Sequence, residues 1–234
     1  MAELLGTLLL VFFICMILTV HGSVLNYREF AVVGLLHAFV LMMLIQTLGS
    51  ASGAHFNPAV TTALAAIRKI TIPDAAIYIL LQLAGGVLGA LLCKLIVHDP
   101  GQAGHYGATM VGTGLNGKAF TGMLVELIGT FVLMWSIMGL AVNPRGARNW
   151  AGLVIGATLG FAVMTFGPLT GAGFNPARAL GPSLVGGGED AGRFLLVYVL
   201  GPVVGALLAA FGYRLLVLSP QERLPGERPI DKLT

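Results

Sequence analysis

Apolar residues run along this chain in long stretches almost free of charge, at roughly 2–21, 32–51, 75–97, 120–142, 150–167 and 193–217. Runs such as Leu4–Val20 and Thr121–Val142 approach or exceed the ~20 residues with which a helix crosses a bilayer. Two shorter stretches, 57–67 and 175–185, are too short to cross, and each begins Asn-Pro-Ala. The pattern predicts an all-α membrane protein of six transmembrane helices plus two half-helices.

The two halves of the chain resemble each other. Glu3-Leu4-Leu5-Gly6-Thr7 matches Glu126-Leu127-Ile128-Gly129-Thr130. The nine residues Ser52–Val60 match Thr170–Arg178 at six positions, and Gly89-Ala90-Leu91-Leu92 matches Gly205-Ala206-Leu207-Leu208. With three spans per half, the second half runs through the membrane in the opposite direction. Inverted repeats of this kind place their site at the bilayer midplane, on interrupted helices. The reading is one channel domain over 1–218, with repeat 1 at about 1–115, repeat 2 at about 120–218, and a cytoplasmic tail over 219–234.

Composition sharpens the picture. Only 10% of the 234 residues are charged and 56% are hydrophobic, against about 25% charged in a soluble domain. So few charges cannot cover a water-facing surface. The 33 glycines fit close crossings of membrane helices, with Gly152, Gly156 and Gly160 on the fifth run and Gly85, Gly86, Gly89, Gly201 and Gly205 on the third and sixth. Gln46 and Gln82 read as structural hydrogen-bonders. Cys15 and Cys93 lie within apolar runs and suggest no disulfide framework. The first run lacks a basic leader and carries Glu3, so it reads as a spanning helix and not a cleaved signal. With the N-terminus inside, Arg68, Lys69, Arg145, Arg148, Arg214, Arg223, Arg228 and Lys232 fall inside, eight against four (Arg28, Lys94, Lys118, Arg193) outside. The positive-inside rule then puts both termini in the cytoplasm. The dispersed basic residues suggest no nucleic-acid partner. No metal-ligand cluster, nucleophile–base spacing or phosphate loop suggests an enzyme, a metal or a cofactor.

Asn is a strong N-cap and Pro fits the first helical turn, so Asn57-Pro58-Ala59 and Asn175-Pro176-Ala177 each start a half-helix. Two helix N-termini meeting at mid-membrane set up a positive maximum that repels cations. The backbone before each cap, Gly53, Ala54 and His55 in one repeat and Gly171, Ala172 and Gly173 in the other, cannot be helical. Such backbone is tolerated at membrane depth where it lines a wet cavity, and its carbonyls form an acceptor ladder for a permeant. Glu3 and Glu126 are placed to accept hydrogen bonds from these two loops. A proton relay is the other reading of the pair.

On these motifs the chain resembles the aquaporins of the major intrinsic protein family, from Glu3 to about Arg214. The resemblance implies a passive channel for water, with small neutral solutes such as ammonia, urea or hydrogen peroxide as further permeants. It also implies proton and ion exclusion, one pore per protomer and a homotetramer, while the short tails and the absence of a targeting extension suggest a plasma membrane. By spacing from the motifs, it assigns the selectivity filter to His37, Val163, Ala172 and Arg178. That set is most similar to the one in plant vacuolar aquaporins. Glycerol facilitators of the family carry Asp after the filter Arg and a basic residue four further on, where this chain has Ala179 and Ser183. A glycerol-type facilitator and a closed-pore structural protein are the alternatives. His105, in the long third connection, is a further candidate to reach the filter.

Overall fold

A computed structural model of the chain describes residues 1–20 and 27–219. It contains the helices α1 (Ala2–Val20), α2 (Tyr27–Ser52), α3 (Pro58–Ala66), α4 (Ile72–Ile96), α5 (His98–Ala103), α6 (Ala119–Ile137), α7 (Ala151–Thr170), α8 (Pro176–Gly186), α9 (Ala191–Phe194) and α10 (Gly201–Leu216). π-Helical turns at Met138–Val142 and Leu195–Leu200 extend α6 and join α9 to α10. Among the described residues six helices are long and apolar enough to cross a membrane. With the half-helices α3 and α8, this is the expected architecture. The tail beyond Ser219 lies outside the described residues, as do Arg223, Arg228 and Lys232 of the charge count and the side chain of Arg28.

Local chemistry moves some boundaries from where hydropathy put them. α4 starts at Ile72, before the apolar run, because the Thr71 hydroxyl caps it by accepting from the Asp74 amide at 3.3 Å, with Pro73 in the first turn. α7 continues two residues past Pro168 to Thr170 and is capped by Gly171, whose φ of 76° is left-handed, the usual helix stop for glycine.

The packing follows the repeat. α1 packs on α4 as α6 packs on α10, and α2 packs on α7 across the pseudo-twofold axis. Each half-helix crosses over, α3 resting on α10 and α8 on α4. The two repeats therefore cannot part without exposing both half-helices. At the α2–α7 crossing a Cβ on Gly160 would lie 2.7 Å from the Gly34 carbonyl oxygen, so the helices touch through backbone. In lipid such packing replaces the hydrophobic drive that water would supply. Gln46 packs against Gly152 at the same crossing.

The third repeat match is off by one helical turn. Tyr78 donates to the Ser52 carbonyl and Tyr198 to the Thr170 carbonyl, at 3.0 and 2.8 Å. Gly85 lies against the Leu4 carbonyl and Gly205 against that of Leu127. Both pairs give an offset of 120 (198 − 78, 205 − 85), where the local identity of Gly89 with Gly205 gave 116. Residues four apart share a helix face, so a slip of one turn keeps glycine on the contact face and cannot be seen in the pattern alone.

Candidate functional site

Each half-helix begins as its sequence requires. Asn57 Oδ1 accepts from the Ala59 amide at 2.9 Å, and Asn175 Oδ1 accepts from the amides of Ala177 and Arg178 at 3.0 and 3.3 Å. The amide nitrogens cross the repeat boundary. Asn57 Nδ2 donates to the Phe174 carbonyl and Asn175 Nδ2 to the Phe56 carbonyl, at 2.9 and 2.8 Å. A carboxamide carries two N–H donors, so each Asn keeps one for the space between them.

The loops before the caps are strained in the same way in both repeats. Gly53, Ala54 and Phe56 have φ of 85°, 52° and 48°, and Gly171, Ala172 and Phe174 have 76°, 50° and 50°. Residues with a Cβ rarely adopt such values. The glutamates hold them there. Glu3 accepts from the Ser52 hydroxyl, the His55 and Phe56 amides and the Gln82 carboxamide, at 2.6, 3.1, 2.7 and 2.7 Å. Glu126 accepts from the Thr170 hydroxyl and the Gly173 and Phe174 amides. A buried carboxylate that accepts three or four hydrogen bonds from one loop and its surroundings fits a clamp. Gln82 also donates to Thr61 Oγ1 at 2.9 Å, which lies 3.1 Å from His55 Nδ1.

The other repeated residues serve the same clamp. Thr7 and Thr130 donate to the carbonyls of Glu3 and Glu126, each at 2.7 Å. Gly6 and Gly129 leave the room taken by the rings of Phe56 and Phe174. A Cβ on either glycine would fall 2.0 or 2.1 Å from a ring carbon.

Between the half-helices runs a cavity. Its lining includes Gly53–Asn57 and Gly173–Asn175 of the two loops and the apolar Leu10, Ile14, Leu133 and Leu159. Gly171 is not in this lining. At one end stand His37 and Arg178, both 2% exposed. His37 Nδ1 is 2.7 Å from the Val33 carbonyl. A carbonyl only accepts, so Nδ1 carries the hydrogen and Nε2 of the neutral ring is a bare acceptor. His37 Nε2 and Arg178 Nε are buried without a hydrogen-bond partner among the described residues. The end of the cavity thus offers one acceptor and one donor. Val163 and Ala172, the other two filter candidates, are buried in the apolar cluster around the cavity and are not part of its lining.

The filter candidates have repeat mates. Subtracting the 118-residue offset of the two Asn residues (175 − 57) from Val163, Ala172 and Arg178 gives Ile45, Ala54 and Val60, and adding it to His37 gives Ile155. All four mates line the cavity. The two ends of a symmetric scaffold therefore differ in chemistry: His and Arg at one end, Ile, Ala and Val at the other.

His105 does not reach the filter. Its side chain is exposed, and its Nδ1 meets the Gly186 carbonyl, at the far end of α8, at 2.8 Å. The third connection reaches Arg178 through backbone, the Gly107 carbonyl accepting from Nη1 at 3.0 Å. No side-chain pattern marks a carbonyl, which is why sequence reasoning passed over Gly107.

Residues 1–213 match the family model described as Major intrinsic protein. "Nodulin-26" of Glycine max is 38% identical over 217 residues, covering 92% of this chain and 76% of that protein. "Aquaporin AqpM" of Methanothermobacter thermautotrophicus is 36% identical over 238 residues, covering 92% of this chain and 95% of that one. The fold is similar to that of the aquaglyceroporin from Plasmodium falciparum, with a TM-score of 0.74 at 23% identity over 94% of this chain and 96% of the other. Neither relative is named as a vacuolar channel, so likeness to the plant vacuolar set rests on His37, Val163, Ala172 and Arg178 alone.

Proposed function

The chain belongs to the major intrinsic protein family, and on that premise we propose that it is a passive channel for water. Small neutral solutes such as ammonia, urea and hydrogen peroxide pass as well, and ions and protons are excluded. As a member of a channel family it is not an enzyme.

The observation that carries this reading is the pairing of His37 Nε2 with Arg178 Nε at one end of a cavity into which both half-helices point their N-termini. Each helix N-terminus counts as about +0.5 charge. Together with the Arg178 guanidinium they disfavour any cation, while a neutral molecule that both donates and accepts satisfies the filter pair. The free N–H of each Asn then takes the permeant's oxygen, turning its hydrogens away from the neighbouring Asn and interrupting a proton wire. Loop carbonyls supply acceptors, and the apolar lining residues supply none.

The filter in this reading is His37, Val163, Ala172 and Arg178, residues 1–218 form a single channel unit, and the protomers assemble as a homotetramer. The chain lies in a plasma membrane with both termini cytoplasmic. Lys69 supports that orientation. Its ammonium pKa is lowered by burial and by Arg214 and Arg148, so basic residues from two connections and from the last turn of α10 gather at one end of the molecule.

Stopped-flow swelling of proteoliposomes tests the proposal, with water, glycerol, urea and ammonia compared in one preparation. Water flux well above lipid background is expected, with glycerol slower. Background flux from correctly inserted protein rejects the reading. Glycerol outpacing water moves it to a glycerol-type facilitator.

A further inference from the structure

His105, Tyr106 and Gly107 form a single left-handed turn, with φ of 52°, 51° and 72°. Two of the three carry a Cβ, for which this backbone is unfavourable. Such strain persists only where surrounding contacts over-determine it, and here three contacts do. His105 donates to the Gly186 carbonyl, at the last turn of α8. The Gly107 carbonyl accepts from Arg178, in the first turn of the same half-helix. Between them Tyr106 is buried to 2% exposure, and its hydroxyl donates to the His98 carbonyl at 2.9 Å. Its ring lies so close to Gly101 that a Cβ there would sit 2.0 Å from Cε1. The turn thus spans the half-helix end to end, and the Tyr106 ring seated on α5 fixes its height.

We propose that Tyr106 is a positioning residue for Arg178. By locking the left-handed turn it holds the Gly107 carbonyl where it takes one guanidinium hydrogen, fixing the rotamer that leaves Nε–H to the permeant. The effect passes through one backbone oxygen, since no hydrogen bond joins Tyr106 to Arg178 directly. Without the ring the turn has a more favourable backbone to relax to, and Arg178 loses its fixed acceptor. The filter then discriminates less between water and larger neutral solutes. This inference rests on the reading of Arg178 as a filter residue.

The test is the urea-to-water flux ratio of the full chain in proteoliposomes, for Tyr106→Ala, Tyr106→Phe, Arg178→Ala and the double variant Tyr106→Ala/Arg178→Ala. Tyr106→Ala should raise the ratio about tenfold, the scale of one hydrogen bond to a charged group. Tyr106→Phe keeps the ring in its seat and should stay within about threefold of the wild type, as loss of one neutral hydrogen bond allows. On the Arg178→Ala background, Tyr106→Ala should change nothing further, because the two residues act through one contact. An unchanged ratio in well-folded Tyr106→Ala, or an equal effect with Arg178 removed, overturns the positioning role while the filter reading stands. If Arg178→Ala itself leaves the ratio unchanged, the filter reading fails and this inference with it. Should Tyr106→Ala not reconstitute, Tyr106→Leu keeps apolar bulk without the planar ring and is read by the same outcomes.

Discussion

Asn57 donates its side-chain amide to the carbonyl oxygen of Phe174, 117 residues away and in the other repeat. The mirror bond joins Asn175 to Phe56. The residues that cap the half-helices therefore also tie the two repeats together, at the point where the cavity passes between them.

Asn57→Ala removes the cap on α3 and leaves the buried Phe174 carbonyl without its donor. Loss of a cap costs ~1 kcal/mol, and an orphaned buried acceptor about 1–3 kcal/mol. The variant should be less stable by about 2–4 kcal/mol in detergent, read by denaturant or thermal unfolding. Asn175→Ala should match it or cost slightly more, since Asn175 makes the same two bonds and a longer third one from the Arg178 amide. A marked difference between the two would show that the symmetry of these bonds is not a symmetry of energy.

Gly129→Ala drives a methyl into the Phe174 ring, 2.1 Å from its nearest carbon. Overpacking in a filled core costs about 1–3 kcal/mol. Phe174→Leu in the same chain makes room, so the double variant should be less destabilised than the sum of the two single changes. Strict additivity in unfolding measurements would mean that the ring yields elsewhere.

His37→Phe takes away the Nε2 acceptor and frees the Val33 carbonyl. Water and ammonia both donate to Nε2, so both should lose flux, by about fivefold for one neutral hydrogen bond. Parallel assays in one vesicle preparation decide it. Unchanged flux of both would give His37 a packing role.

Ala172→Cys places a thiol at the filter position whose repeat mate, Ala54, lines the cavity. A mercurial should block water flux in this variant and leave the Ala172 parent open. Full flux after labelling would displace Ala172 from the filter.

Hydropathy, cap chemistry and internal likeness made much of this protein legible in its sequence. Runs of uncharged residues long enough to cross a bilayer admit few structures besides helix, because lipid leaves backbone groups nothing else to bond. Asn-Pro at the head of a short apolar stretch favours a helix start, and its repetition within matched halves marks both α3 and α8. Glu3 and Glu126 stood out because a lone carboxylate in such a run needs partners. Gly6, Gly129, Thr7 and Thr130 were visible as repeats, but their work of seating a ring and bonding a carbonyl was not.

What tertiary structure alone decided is what depends on register and on backbone. The one-turn slip between Gly89 and Gly205 is invisible in sequence because a helix repeats its faces every turn, and the bonds of Tyr78 and Tyr198 and the contacts of Gly85 and Gly205 fix it. The tautomer of His37 follows from where the Val33 carbonyl lies. Gly107 holds Arg178 through an oxygen that every residue possesses, so no choice of amino acid announces it. The sequence by itself determined that there are two half-helices and that their N-termini carry Asn. The fold determined that each Asn bonds the opposite repeat and that Arg178 is held from outside its own helix, because both are contacts between segments more than seventy residues apart.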